Sequence, residues 1–182
     1  MVLNAWGLET KYAATAPAPV LTDGRVIEGY ASLFGVADQG GDVVLSGAYK
    51  AGLKRLSEKG GKVRMLWQHD AASPIGVWDE IREDARGLWV KGRLLTEVAR
   101  AREAAALVEA GAIEGLSIGY RTVRAERDQK GRRALSEVEL WEVSLVTFPM
   151  LPEARLAATK EAPAPGSLVG LFADAAAALR AG

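Results

Sequence analysis

Cysteine is absent from the chain, which excludes disulfides, thiol nucleophiles and thiolate metal sites. Histidine occurs once, at position 69, so no zinc site is expected and no metal or other cofactor is implied. Net charge is missing too. The 23 Lys and Arg balance 23 Asp and Glu, leaving no electrostatic reason to bind nucleic acid or an anionic membrane. No apolar run approaches the roughly 20 residues that span a bilayer. Met1–Leu8 lacks the basic start and apolar core of a signal peptide. The expectation is a soluble, cytoplasmic protein. What is present is apolar mass: 49% of the 182 residues are hydrophobic, enough to bury one sizeable core.

Composition divides the chain into a lead-in (1–24, with the Ala/Pro-rich Ala13–Leu21), a body (25–158), a linker (159–166) and a tail (167–182) that reads as an amphipathic helix. Within the body, strand patterns cover Arg25–Phe34, Lys62–Gln68, Ile75–Ile81, Leu88–Leu95, Leu116–Glu126 and Ala134–Phe148. Asp38–Asp42 is a turn by composition, without the spacing of an EF-hand loop, and Asp128–Gly131 is a hairpin turn. Two stretches read as helices. Ser46–Leu56 has Ser46 as an N-cap; Thr96–Ala110 has Thr96 as its cap and Gly111 at its stop.

Gly115-Leu116-Ser117-Ile118-Gly119 matches the nucleophile-elbow pattern, but that pattern requires strand, sharp turn, helix. Here a helix precedes the serine and a β-like run follows, so an α/β-hydrolase is rejected. On a strand, alternate residues face opposite ways. Ile118 and Tyr120 then share the core face, while Ser117, Gly119 and Arg121 share the other. Likewise Trp141, Val143 and Leu145 read as core, with Glu142 and Ser144 opposite. A serine and a carboxylate would thus lie on the outer face of a sheet, in a shallow groove, with the glycines leaving room for a substrate backbone. His69 has the parity of Val63, Met65 and Trp67, so it must sit at or beyond its strand end to reach that face. Singly, each residue has an ordinary role: a structural histidine, a turn serine, a solvated glutamate. Ser144 is a rival nucleophile in a run that suggests sheet packing.

Several motifs occur in order over residues 25–156: Gly29-Tyr30-Ala31-Ser32-Leu33-Phe34, Asp42 with Ser46-Gly47-Ala48-Tyr49, Leu66-Trp67-Gln68-His69-Asp70 with Pro74-Ile75-Gly76, Gly115–Tyr120, and Trp141–Pro149. Together they resemble the prohead (procapsid) maturation proteases of tailed double-stranded-DNA phages. The resemblance implies a β-rich α+β fold like that of the herpesvirus assembly proteases: a small closed or nearly closed antiparallel β-barrel flanked by helices. It implies His69 as general base and Ser117 as nucleophile of a serine endopeptidase.

In the herpesvirus relatives a second histidine completes the triad. This chain has none, so a carboxylate must orient His69. Glu142 is the choice, Glu139 the runner-up, and Asp70 is too close along the chain. Backbone donors near Tyr120 and Arg121, with the Arg121 side chain assisting, are the expected oxyanion site. The implied substrate is the scaffolding region of the major capsid protein, and the chain itself, inside an assembling procapsid in the bacterial host, with possible self-association. Competing readings are an inactive barrel that serves shell assembly, and a small-substrate esterase with a deep apolar pocket.

Overall fold

The computed structural model describes residues 8–12, 20–38 and 40–147. Its elements are β1 (Glu9–Tyr12), β2 (Val20–Thr22), β3 (Val26–Leu33), β4 (Asp42–Val44), α1 (Lys50–Glu58), β5 (Arg64–Trp67), β6 (Asp70–Glu83), β7 (Gly87–Leu94), α2 (Ala99–Glu109), β8 (Gly115–Arg127) and β9 (Arg133–Val146). The predicted linker and tail (159–182) lie outside the described residues, as does the Phe148-Pro149 end of the last motif.

All nine strands join one sheet, ordered β1-β8-β9-β5-β6-β7-β3-β2, with β4 attached to β9. The sheet curls until β3 and β8 lie against each other. Its concave side holds the core, where Ile27, Met65, Ile75, Val90, Ile118, Tyr120 and Leu145 are buried. This strand-rich half-barrel has two helices, but the ladder has two ends, β1 and β2, among the described residues.

The expectation of a wholly antiparallel barrel is corrected by β9. Fourteen residues long, it gives one edge to β8 and shares the other between β4 and β5, both parallel to it. Helix α1 carries the chain from β4 to β5, two segments on the same edge of β9.

Both helices begin later than their polar caps suggest. The turn at 46–49 bonds to neighbouring strands instead. The Tyr49 N–H donates to Glu83 Oε1 (2.8 Å), and the Ala48 carbonyl accepts from the Val138 N–H (3.0 Å). Ser46 therefore caps nothing, and α1 starts at Lys50. Helix α1 then seats closely on β9 at Gly52, where an added Cβ would stand 2.4 Å from the Val138 carbonyl oxygen. In α2 the cap position is Val98, in extended conformation, rather than Thr96. The helix does end before Gly111.

The stretch read as a lead-in contributes two strands. β2 pairs with β3, and β1 pairs antiparallel with β8, from Glu9 opposite Tyr120 to Tyr12 opposite Ser117. Glu9 is buried and fastens β1. Its carboxylate accepts from the Thr122 N–H (3.3 Å) and hydroxyl (2.5 Å) and from the Arg133 guanidinium, which also faces Asp42 at 3.7 Å. Burial works to raise the Glu9 pKa, but the bonds from Thr122 and Arg133 and the Arg133 charge outweigh it, holding the carboxyl below its usual range.

Candidate active site

Trp67 pairs with Asp70, so Gln68 and His69 form a two-residue hairpin loop. Both have positive φ, 52° and 61°, as a type I′ turn requires. Neither is glycine, so the conformation costs about 1–2 kcal/mol per residue. Strand β9 holds it in place. The Gln68 N–H donates to the Leu145 carbonyl (3.0 Å), the Gln68 amide reaches Thr147 Oγ1 (2.6 Å), and the His69 N–H donates to Ser144 Oγ (3.1 Å). The parallel register of β5 on β9, with Trp67 opposite Leu145, sets where this turn falls.

On the other side of β9, Ser117 pairs with Ser144 and Gly119 with Glu142. The His69 ring lies between the two strands. Its Nε2 is 2.7 Å from Ser117 Oγ and its Nδ1 is 2.5 Å from Glu142 Oε1. The other carboxylate oxygen, Oε2, accepts from the Ser144 hydroxyl at 2.6 Å. An ionised carboxylate only accepts, so Nδ1 carries the ring proton; the Nε2 lone pair then faces the serine, whose hydroxyl donates to it. Bonds to a charged acceptor contribute about 1.5–3 kcal/mol each, and Glu142 receives two.

The space beside Gly119 belongs to Glu142, not to a substrate backbone. A Cβ there would stand 2.2 Å from Glu142 Oε1. Ser117 and Glu142 do share a face, as their strand parity predicts, but they are not exposed: Ser117 is 0% and Glu142 3% accessible. A shallow open groove over the serine is thus not what this conformation shows.

Glu139 turns away to Arg55, 3.8 Å from Nη2. Asp70 closes its own loop onto Ser73 Oγ (2.6 Å) and the Ala72 N–H (2.9 Å), bonds that hold its carboxyl below the usual range. Tyr120 packs in the core, where burial pushes its phenol pKa up. Arg121 stacks over the exposed Trp141 ring at 5.2 Å. Tyr120 and Arg121 lie three and four residues along an extended strand, with Cα atoms about 10 and 13 Å from that of Ser117, too far for their backbone N–H groups to donate to an oxyanion formed at that serine. Trp141 is exposed, against its predicted core parity, because β9 bulges there: Glu142 faces Gly119 while Leu140, not Trp141, faces Tyr120.

Ser144 is the member that strand reasoning placed but did not use. Its outward parity, shared with Glu142, was the available signal. No cluster able to hold a metal ion occurs among the described residues.

A family model described as the caudovirus prohead serine protease matches residues 13–165. The prohead protease of Enterobacteria phage HK97 is 35% identical over 143 residues, covering 76% of this chain. The chain spans 62% of the length of that relative. Among solved structures, the bacteriophage T4 capsid assembly protease is similar in fold, with a TM-score of 0.59 at 15% identity, over 78% of this chain and 98% of that one.

Proposed function

The chain belongs to the caudovirus prohead serine protease family, and from that membership and the site geometry we propose that it is a serine endopeptidase which processes the major capsid protein during procapsid maturation. The carrying observation is the unbroken bond sequence from Ser117 Oγ through the His69 ring to Glu142. Ser117 is the nucleophile, His69 the general base, and Glu142 the group that fixes the ring tautomer. The fold reading extends to the herpesvirus assembly proteases, with the carboxylate standing where they have a second histidine.

As Ser117 Oγ bonds to a peptide carbonyl carbon, its proton passes to His69 Nε2, and Glu142 steadies the imidazolium. Collapse breaks the C–N bond, and the imidazolium returns its proton to the departing amine. Water then attacks the acyl-enzyme with the same base, releasing the acid and restoring the serine. No cofactor enters. The site of action is the procapsid interior, with the capsid protein as partner and self-cleavage falling near residues 156–167.

A fluorophosphonate probe tests the nucleophile, since Ser117 Oγ would displace its fluoride and retain the phosphonyl group. Mass spectrometry is expected to find the adduct on Ser117 and not on Ser144. An adduct on Ser144 would make that serine the nucleophile instead, and no adduct on either would favour the inactive assembly factor.

Ser144→Ala tests the positioning network. It deletes the acceptor for the His69 N–H and the donor to Glu142 Oε2. A turnover loss of roughly tenfold to a hundredfold is expected, for a lost charge-assisted bond of about 1.5–3 kcal/mol. The acidic limb of the pH–rate profile should move with it. A merely structural role would lower stability and leave that profile in place.

A further inference from the structure

The bulge in β9 turns Trp141 outward and leaves the ring 47% exposed. A single exposed ring is ordinary on a protein surface; its setting here is not. Trp141 lines an open groove of about 390 Å³ between α1 and the start of β5, together with Arg55, Leu56, Lys59, Lys62 and Arg64. Glu139 is the one carboxylate in that lining. Arg55 is already met by Glu137 (2.8 Å) and Glu139 (3.8 Å). Lys59, Lys62 and Arg64 are exposed and have no carboxylate partner among the described residues. Arg121, stacked over Trp141 at 5.2 Å, adds its charge beside the ring. The whole chain is neutral, so this positive charge is local.

We propose that the groove is a docking site for an acidic segment of the substrate protein. Its carboxylates meet Lys59, Lys62 and Arg64, and an apolar side chain covers Trp141. The proposal rests on the proposed function and adds how that substrate is recognised.

The groove is placed to serve the site. Arg64 is in register with Glu142, and Trp141 directly precedes it. One end therefore lies beside the carboxylate that orients His69. Along β9, Trp141 is three residues, about 10 Å, from Ser144, which faces Ser117. A segment docked here tethers the peptide to be cut close to the nucleophile and raises its local concentration there. Such binding is the same in ground state and transition state, so it lowers KM without entering kcat.

The composition of the groove favours a peptide over a nucleic acid. Three unpaired cations are few for a phosphate backbone, which binding proteins commonly meet at roughly 6–10 phosphates. Leu56 and Trp141 give apolar surface that matches side chains better than phosphates.

The test measures fluorescence anisotropy of a short labelled peptide of Glu with interspersed Leu, titrated with the full-length chain. Its counterpart with Lys for every Glu, and an oligothymidylate of matched length, are measured beside it. The Glu peptide should bind best, and more weakly as salt rises. Lys59→Glu with Lys62→Glu should weaken it about tenfold or more, since like charges then face each other. Trp141→Ala keeps every charge of the groove and should still cost about tenfold, as loss of an aromatic anchor does. Equal binding by parent and both variants, or none by the parent, overturns the docking site and leaves this face to solvent, to the chain's own tail or to a second copy. Tighter binding of the oligothymidylate makes it a nucleic-acid surface and overturns it as well. With the capsid protein as substrate, the double lysine variant should raise KM about tenfold or more; an unchanged KM overturns the docking role. Fluorophosphonate uptake by the parent reports the nucleophile separately. Its absence overturns the Ser117 assignment, while the peptide titration still decides the groove.

Discussion

Replacing Ser117 with alanine is expected to abolish capsid-protein processing while leaving the fold intact. Co-expression of the chain with its cognate capsid protein, read by the size of the capsid band, makes the measurement. Removing the nucleophile of a serine–histidine–carboxylate constellation typically lowers kcat by about a millionfold, which on this assay is no cleavage at all. The structural penalty is small by comparison. The mutation takes away one hydroxyl and leaves His69 Nε2 without the donor at 2.7 Å. A loss of about 1–3 kcal/mol leaves a domain of ordinary stability, about 5–15 kcal/mol, folded. Any self-truncation near residues 156–167 should stop in the same variant. Continued processing by a folded Ser117→Ala chain would remove this serine as nucleophile and turn attention to Ser144.

The second large effect comes from two mutations that should converge. Glu142→Gln offers Nδ1 a group that can no longer hold it unambiguously as a donor. In a trypsin-like triad the equivalent change lowers kcat by about ten-thousandfold because the ring takes the wrong tautomer. Gly119→Ala replaces none of the three reacting side chains, yet its methyl would overlap Glu142 Oε1. The carboxylate has no slack in which to shift, being held by His69 at one oxygen and Ser144 at the other. Both variants should therefore lose several orders of magnitude in kcat in a peptide-cleavage assay, and the double mutant should be little worse than either alone. Glu139→Gln is the control; its partner is Arg55, so the rate should hold. If Gly119→Ala kept full activity, Glu142 would not be the group that positions the histidine.

The residues now seen together were legible because strand parity is a strict rule. Ser117 and Glu142 were assignable to one face from alternation alone, and His69 to a strand end. What escaped the sequence was tertiary. The bulge at Trp141 changes parity inside β9, and no local pattern announces an extra residue whose partner strand lies elsewhere. Gly119 looked like room for a substrate because a glycine does not say which neighbour needs the space. The cap at Ser46 failed for a similar reason: hydrogen bonds from β9 and to Glu83 outweighed a helix-start preference of about 1 kcal/mol. Strand β1 went unread because four residues with a buried glutamate carry no periodicity. Thr122 and Arg133, both distant in sequence, explain why Glu9 is there.

The order in which the ribosome delivers these pieces matters. The imidazole emerges first, the hydroxyl next, and the acidic partner last, on the strand that also grips the left-handed turn. A nascent or truncated polypeptide ending before Glu142 would contain a serine and a histidine but neither the anion nor the rail that aligns them. Premature fragments should consequently be inert towards neighbouring capsid subunits, and hydrolytic competence should arrive all at once, with the docking of the final β-segment.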